Sequence, residues 1–252
     1  MLPVSLVIIA KNEAHIIGQT LSALRPVVGE LLLADTGSTD DTVAVATAHG
    51  ARVIHLPWQG FGWCKQQAAL AATYDWVLAL DADEVPDADL IAALQQIDLA
   101  AIDTVYRCRF LSYVGQQLLL HGEWKPFYKV RLFNRLHCNW DDAPVHESIV
   151  LPAGTRQATL KGHILHYSSR SLREYADKMT AYAHNMAAKY HAAGKRPSFF
   201  KLYAYYPILF FQTWVLKGGF RDGRLGYACA KIVAQYGMLK YHLLAEMRKG
   251  QL

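Results

Sequence analysis

The chain has 252 residues, 52% of them apolar and 19% charged, enough for one large domain, or one domain with a tail, around a real core. Its net charge of +5 hides a split, because residues 1–150 carry 17 acidic against 10 basic side chains while residues 151–252 carry 4 against 16. Four scattered cysteines without a Cys-x-x-Cys pair exclude a zinc ribbon or a dithiol redox motif and fit a reduced, cytosolic chain.

The N-terminus carries neither the basic region nor the small-residue cleavage site of a leader peptide, and opens on an apolar run. Residues 5–10 (SLVIIA) predict a buried strand that ends in Lys11-Asn12-Glu13, after which Ile17, Leu21 and Leu24 recur at helical spacing. Residues 30–34 (ELLLA) predict a second strand, ending in Asp35-Thr36-Gly37-Ser38. Acidic and hydroxyl residues then open a helix that Gly50 stops. A strand over 52–56 and a helix over 63–72 follow. The next strand, 76–80 (WVLAL), ends in Asp81-Ala82-Asp83-Glu84, with Pro86 placed to start a helix. Four strand–helix alternations predict an α/β fold, a mostly parallel sheet sandwiched by helices. Ligands of such sheets bind at the carboxyl ends of the strands, where three polar clusters converge: Asn12-Glu13, Asp35-Thr36-Gly37-Ser38 and Asp81-Ala82-Asp83. Beyond residue 103, strands over 104–112, 117–120 and 129–133 predict an antiparallel extension. Helices over 171–193, 199–217 and 223–247 make residues 171–252 a basic, aromatic-rich helical extension to a body of 1–170.

Two residues separated by one at a strand end can face the same way, so Asp81 and Asp83 can present two hard carboxylates to one point. That suits Mg²⁺ or Mn²⁺ completing its shell with substrate phosphates, or else a surface pair. Asp35 suits a nucleobase or ribose, or a turn cap. Lys65 suits a phosphate, or solvent. Glu147, with His146 behind it, is the candidate base for deprotonating an attacking hydroxyl. His163 reads as a satisfied histidine and His166 as a possible further metal ligand. Trp124 and Arg131, flanking a strand, suit the sugar face and an anionic group of an acceptor, or, for Trp124, core packing. Residues 199–216, 18 residues with one lysine, read as a segment on a membrane surface or as a core helix. The basic last third calls for an anionic partner.

The runs SLVIIAKNEAHI (5–16), ADTGSTDDT (34–42) and WVLALDADEVPD (76–87), in that order, resemble the inverting family 2 glycosyltransferases of the GT-A fold. VRLF (130–133), VHES (145–148) and HYSSRSLREYADK (166–178) extend the resemblance to the lipopolysaccharide core glucosyltransferase branch. The resemblance implies a UDP-sugar donor, UDP-glucose in particular, a divalent metal, and a heptose of the lipid-linked inner core as acceptor. It places uridine on Ala10, Asn12, Glu13 and Asp35, and the diphosphate near Lys65. Asp81 would face ribose or metal, Asp83 would ligate the metal with His166 nearby, and Glu147 would be the base. It also implies a peripheral position on the inner face of the cytoplasmic membrane and no nucleic-acid partner. The Gln-x-x-Arg-Trp run of processive synthases is missing, so one sugar is expected per event. Three rivals remain at this level. A haloacid-dehalogenase-like phosphatase would use Asp81 and Asp83, a nucleotidyltransferase would need a glycine-rich basic loop that residues 11–14 do not provide, and a membrane-binding module would have no chemistry.

Overall fold

Apolar runs at β1 (Leu2–Ala10), β2 (Val28–Asp35), β3 (Arg52–His55) and β4 (Trp76–Asp81) pair in parallel in the order β3-β2-β1-β4. Side chains alternate across a strand, and here both faces are apolar. Val4, Leu6 and Ile8 of β1 enter one core, and Val7 and Ile9 enter another. Helices α1 (Ile17–Leu24), α2 (Thr42–Ala48) and α4 (Ala88–Gln95) contribute to the first core, and α3 (Phe61–Leu70) to the second. Leu6, Ile8, Leu32 and Leu33 are fully buried, each contributing about 1.5–3 kcal/mol.

The sheet continues through β5 (Glu84–Pro86), β6 (Thr104–Val114), β8 (Phe127–Asn134) and β11 (Arg156–Ser169). Strand β8 lies antiparallel to β4 and to β6, and β5 lies antiparallel to β11, so the whole is one mixed sheet. Strand β7 (Gln117–Leu119) forms a hairpin with β6, and β9 (Asn139–Trp140) pairs with β10 (Ile149–Val150). The computed structural model describes residues 1–141 and 147–250. It divides into two compact units, one of Met1–Phe110 with Phe127–His166, the other of Leu111–Pro126 with Tyr167–Leu252. Residues 111–126 group in the second unit with the C-terminal helices.

In the second unit α5 (Leu172–Ala192) packs along α8 (Gly223–Arg248), burying Tyr175, Cys229, Ile232 and Val233. Ser171 caps α5 by accepting from the Glu174 N–H at 3.1 Å, and Glu174 accepts from the Arg170 N–H at 3.0 Å. The single helix expected over 199–217 is broken into α6 (Phe199–Tyr203), α7 (Tyr205–Phe211) and one π-turn at Gln212–Leu216. Pro207 explains the break, since its ring and missing N–H are tolerated only in the first turn of the restarted helix. No helix among the described residues is long and apolar enough to cross a membrane. All four cysteines are free and buried.

Candidate active site

Strand register sets the rim. Ala10 lies opposite Asp35 on β2, and Ile9 lies opposite Asp81 on β4, so three polar strand ends share one level. The loops beyond are laced together. Asn12 holds left-handed backbone at φ 61°, which its short polar side chain tolerates. Its Oδ1 accepts from the Thr39 N–H at 2.8 Å, its own N–H donates to Ser38 Oγ at 3.0 Å, and the Glu13 N–H donates to Thr42 Oγ1 at 2.7 Å. Asp35 is buried and accepts from the N–H groups of Gly37 and Ser38, each at 3.1 Å, with His55 Nδ1 at 3.3 Å. Burial would raise its carboxyl, but the hydrogen bonds of Ser38, Gly37 and His55 outweigh burial and hold it below the ordinary value.

The centre of the first unit is a charge network. Lys65 is not solvated. Its side chain is 8% exposed, and its Nζ sits 2.9 Å from Asp81 Oδ1 and 2.7 Å from Glu147 Oε1. Trp140 lies under the same ammonium, 4.8 Å to the ring centroid. Asp81 turns its other oxygen to Arg131 at 3.2 Å. Burial works to raise the Asp81 carboxyl, yet the Lys65 and Arg131 charges prevail and hold it far below the usual carboxylate range. Arg131 also bonds Glu84, and both side chains are 2% exposed. Burial raises Glu84 to about 7 against the pull of Arg131.

Arg131, expected at the acceptor, has its guanidinium buried on Asp81 and Glu84 over the Phe110 ring, and it contributes to the lining of the cavity beside Glu147. Asp81, expected to face ribose or metal, has one oxygen on Lys65 and the other on Arg131. Glu84 and the buried Arg131 were missed as partners, although a charged residue inside the apolar run VRLF signals a buried counter-ion.

Strand β5 was also missed, since Pro86 was read as a helix start. It places Glu84 opposite His166 on β11, and Asp87, not Pro86, caps α4 by accepting from Leu90 N–H at 2.8 Å. This brings Asp83 Oδ2 within 3.4 Å of His166 Nε2, each side chain about a quarter exposed (25% and 28%). Burial would lower the His166 pKa, but Asp83 together with the charges of Glu84 and Asp81 raises it. His163 is satisfied by Asp87, with Nδ1 2.9 Å from Oδ2. Among the described residues no three His, Cys, Asp or Glu side chains converge as a metal cage. An accessible carboxylate beside an imidazole still fits Mg²⁺ or Mn²⁺, which keep waters and phosphate oxygens as their other ligands.

Glu147 is 16% exposed and lines a cavity of about 270 Å³ with Lys129, Arg131, Trp140 and Ser148. His146, the second candidate base, lies outside the described residues. Trp124 belongs to the other unit, half-buried with its ring 5.1 Å from Tyr175, so the structure does not group it with Arg131.

The sequence matches the family model described as glycosyl transferase family 2 over residues 5–151. An uncharacterized glycosyltransferase of Rickettsia felis is 30% identical, the alignment covering 99% of this chain and 90% of that protein. The lipopolysaccharide core biosynthesis glycosyltransferase LpsC of Rhizobium meliloti is also 30% identical, over 94% of this chain and 90% of that protein. Among solved structures, glucosyl-3-phosphoglycerate synthase from Mycobacterium tuberculosis, in complex with Mn²⁺, UDP and glucosyl-3-phosphoglycerate, aligns with 28% identity and a TM-score of 0.35. That alignment covers 45% of this chain and 44% of that one, and at such a score it carries no argument.

Proposed function

This chain belongs to glycosyl transferase family 2, and on that premise we propose that it moves one hexose from a UDP-sugar, UDP-glucose first among them, onto a heptose of the lipopolysaccharide inner core. Family membership removes the phosphatase, nucleotidyltransferase and non-catalytic readings. The likeness to LpsC supports the core-biosynthesis assignment. One observation carries the chemical reading: a single buried ammonium, Lys65, joins the strand-end Asp81 to Glu147 from the distant loop.

In this reading Ala10, Asn12, Glu13 and Asp35 receive the uridine at the rim, and Lys65 faces the diphosphate. Glu147 takes the proton of the acceptor hydroxyl as its oxygen bonds to the anomeric carbon. The bond from that carbon to the UDP oxygen breaks on the opposite face, so configuration inverts. A Mg²⁺ or Mn²⁺ held by Asp83 and His166 would neutralise charge on the departing diphosphate. Arg131 and Glu84 act behind Asp81, fixing its carboxylate.

The helical unit suits the inner face of the cytoplasmic membrane as a peripheral surface. Phe199, Tyr203 and Leu216 are 78%, 65% and 70% exposed in a segment flanked by Lys195, Arg196, Lys217 and Arg221. Isothermal titration with UDP and UDP-glucose, with and without Mn²⁺ or Mg²⁺, tests the donor assignment. Metal-strengthened binding is expected; failure of both nucleotides to bind in either metal overturns it.

A further inference from the structure

The helical unit contains a cavity of about 380 Å³ walled by Trp124, Tyr175, Tyr205 and Tyr236, with Lys240 and Glu123 in its lining. Lys240 is only 8% exposed. Its Nζ lies 4.7 Å from the Tyr236 ring centroid and 5.1 Å from that of Tyr241, with Tyr190 and Tyr205 each at 5.9 Å. Two more ammonium groups sit on the same rings, Lys201 at 5.0 Å over Tyr241 and Lys195 at 4.3 Å over Tyr190. Among the described residues none of these three lysines forms an ion pair.

The unit's own carboxylates are committed elsewhere. Glu123 holds Lys217 at 2.5 Å, Asp222 holds His121 at 2.8 Å, Glu174 holds Arg170 at 2.9 Å, and Glu246 holds Lys249 at 3.1 Å. Asp177 is exposed. Aromatic faces attract a cation but do not neutralise it, and a buried charge left without a counter-ion is unfavourable. A cavity, an uncompensated buried ammonium and sugar-sized aromatic walls therefore share one place.

We propose that this cavity binds a phosphate-bearing saccharide or headgroup, its phosphate on Lys240 and its carbon skeleton against Trp124 and the tyrosines. Glu123 spends Oε1 on Lys217 and Thr213, which leaves its Oε2 to accept from hydroxyl groups. The site needs neither the donor nor a metal, so its test stands apart from the transfer reaction.

The test uses the full chain without UDP or metal. Calorimetric titration with glucose 6-phosphate is compared with glucose, and, separately, with phosphatidylglycerol vesicles in a phosphatidylcholine background. Glucose 6-phosphate is expected to bind, glucose is not, and Lys240→Met should weaken binding by roughly 30-fold or more. Binding to the vesicles alone, lost in Lys240→Met, would assign the phosphate to a lipid headgroup and still support the site. Silence with both probes, or binding that Lys240→Met leaves unchanged, overturns it. Without ligand, Lys240→Met should melt no lower than the wild type, because methionine fills similar space without a buried charge. A lower melting temperature together with undiminished binding would make Lys240 a structural strut. Should Lys240→Met fail to fold, Tyr236→Leu reads the same site through a ring of its wall, with a several-fold loss expected and unchanged binding overturning the proposal.

Discussion

Lys65 holds two carboxylates that lie far apart in sequence, and this pairing constrains what each can do. Glu147 meets the ammonium through Oε1, so as the proposed base it keeps Oε2 for the proton, while an anionic donor phosphate would compete for Lys65. Replacing Glu147 by Gln keeps shape and hydrogen bonding while removing basicity. Donor affinity should persist in Glu147→Gln while the transfer rate falls by about 10²–10⁴-fold, read by UDP release with a lipid-linked acceptor. Survival of the rate would place the base elsewhere. His166 makes a second prediction. Its folded-state pKa lies above the ordinary 6.5, so the folded protein holds that proton more tightly than the unfolded chain. The stability this brings is complete below about pH 6.5 and is lost as pH rises through the raised value. Urea midpoints should fall across that window in the wild type and fall less in His166→Gln. Asp81, Asp83, Lys65 and Glu147 each stand out in the sequence as candidates from strand ends and loop chemistry. Their pairing does not, because Lys65–Glu147 and Arg131–Glu84 depend on which strands become neighbours.

Strands with continuous apolar runs, β1, β2 and β4, were readable because burial on both faces leaves no polar positions. Strand β11 escaped notice for the opposite reason. Its 14 residues are mostly half-exposed and include four basic or histidine side chains, so neither an apolar run nor clean alternation marks it. Yet β11 carries His166 to the site and His163 to the Asp87 cap of α4. Gly162 is the residue that lets it approach. Its φ is 90°, and a Cβ there would stand 2.1 Å from the Leu90 backbone nitrogen and 2.6 Å from Asp87 Oδ1. Neither backbone nor the capping carboxylate can yield cheaply. Gly162→Ala should therefore cost about 2–4 kcal/mol, from positive-φ strain plus the disturbed cap of α4, a fall of several degrees in melting temperature. A melting temperature within one degree of wild type would show that β11 shifts freely past α4.

Charge asymmetry organises the whole molecule, with the acidic first part bearing the strand-end carboxylates and the basic last part bearing most of the exposed aromatics. Binding to anionic vesicles should weaken as salt is added, by screening of the basic residues, and should drop further in a Phe199→Ser, Phe200→Ser double variant. Sedimentation of that variant equal to wild type would remove α6 from the membrane contact. The buried cysteines open a different use of the molecule. Burial pushes the Cys108 and Cys229 thiols up to about 12 and Cys138 to about 11, and Cys64 is fully enclosed. A maleimide thus meets no reactive native sulfur until the surrounding structure opens. Cys64, Cys108 and Cys138 then report the opening of the sheet-bearing unit and Cys229 that of the helical one. Peptide mapping of a timed alkylation would give each unit its own unfolding clock, with no engineered probe.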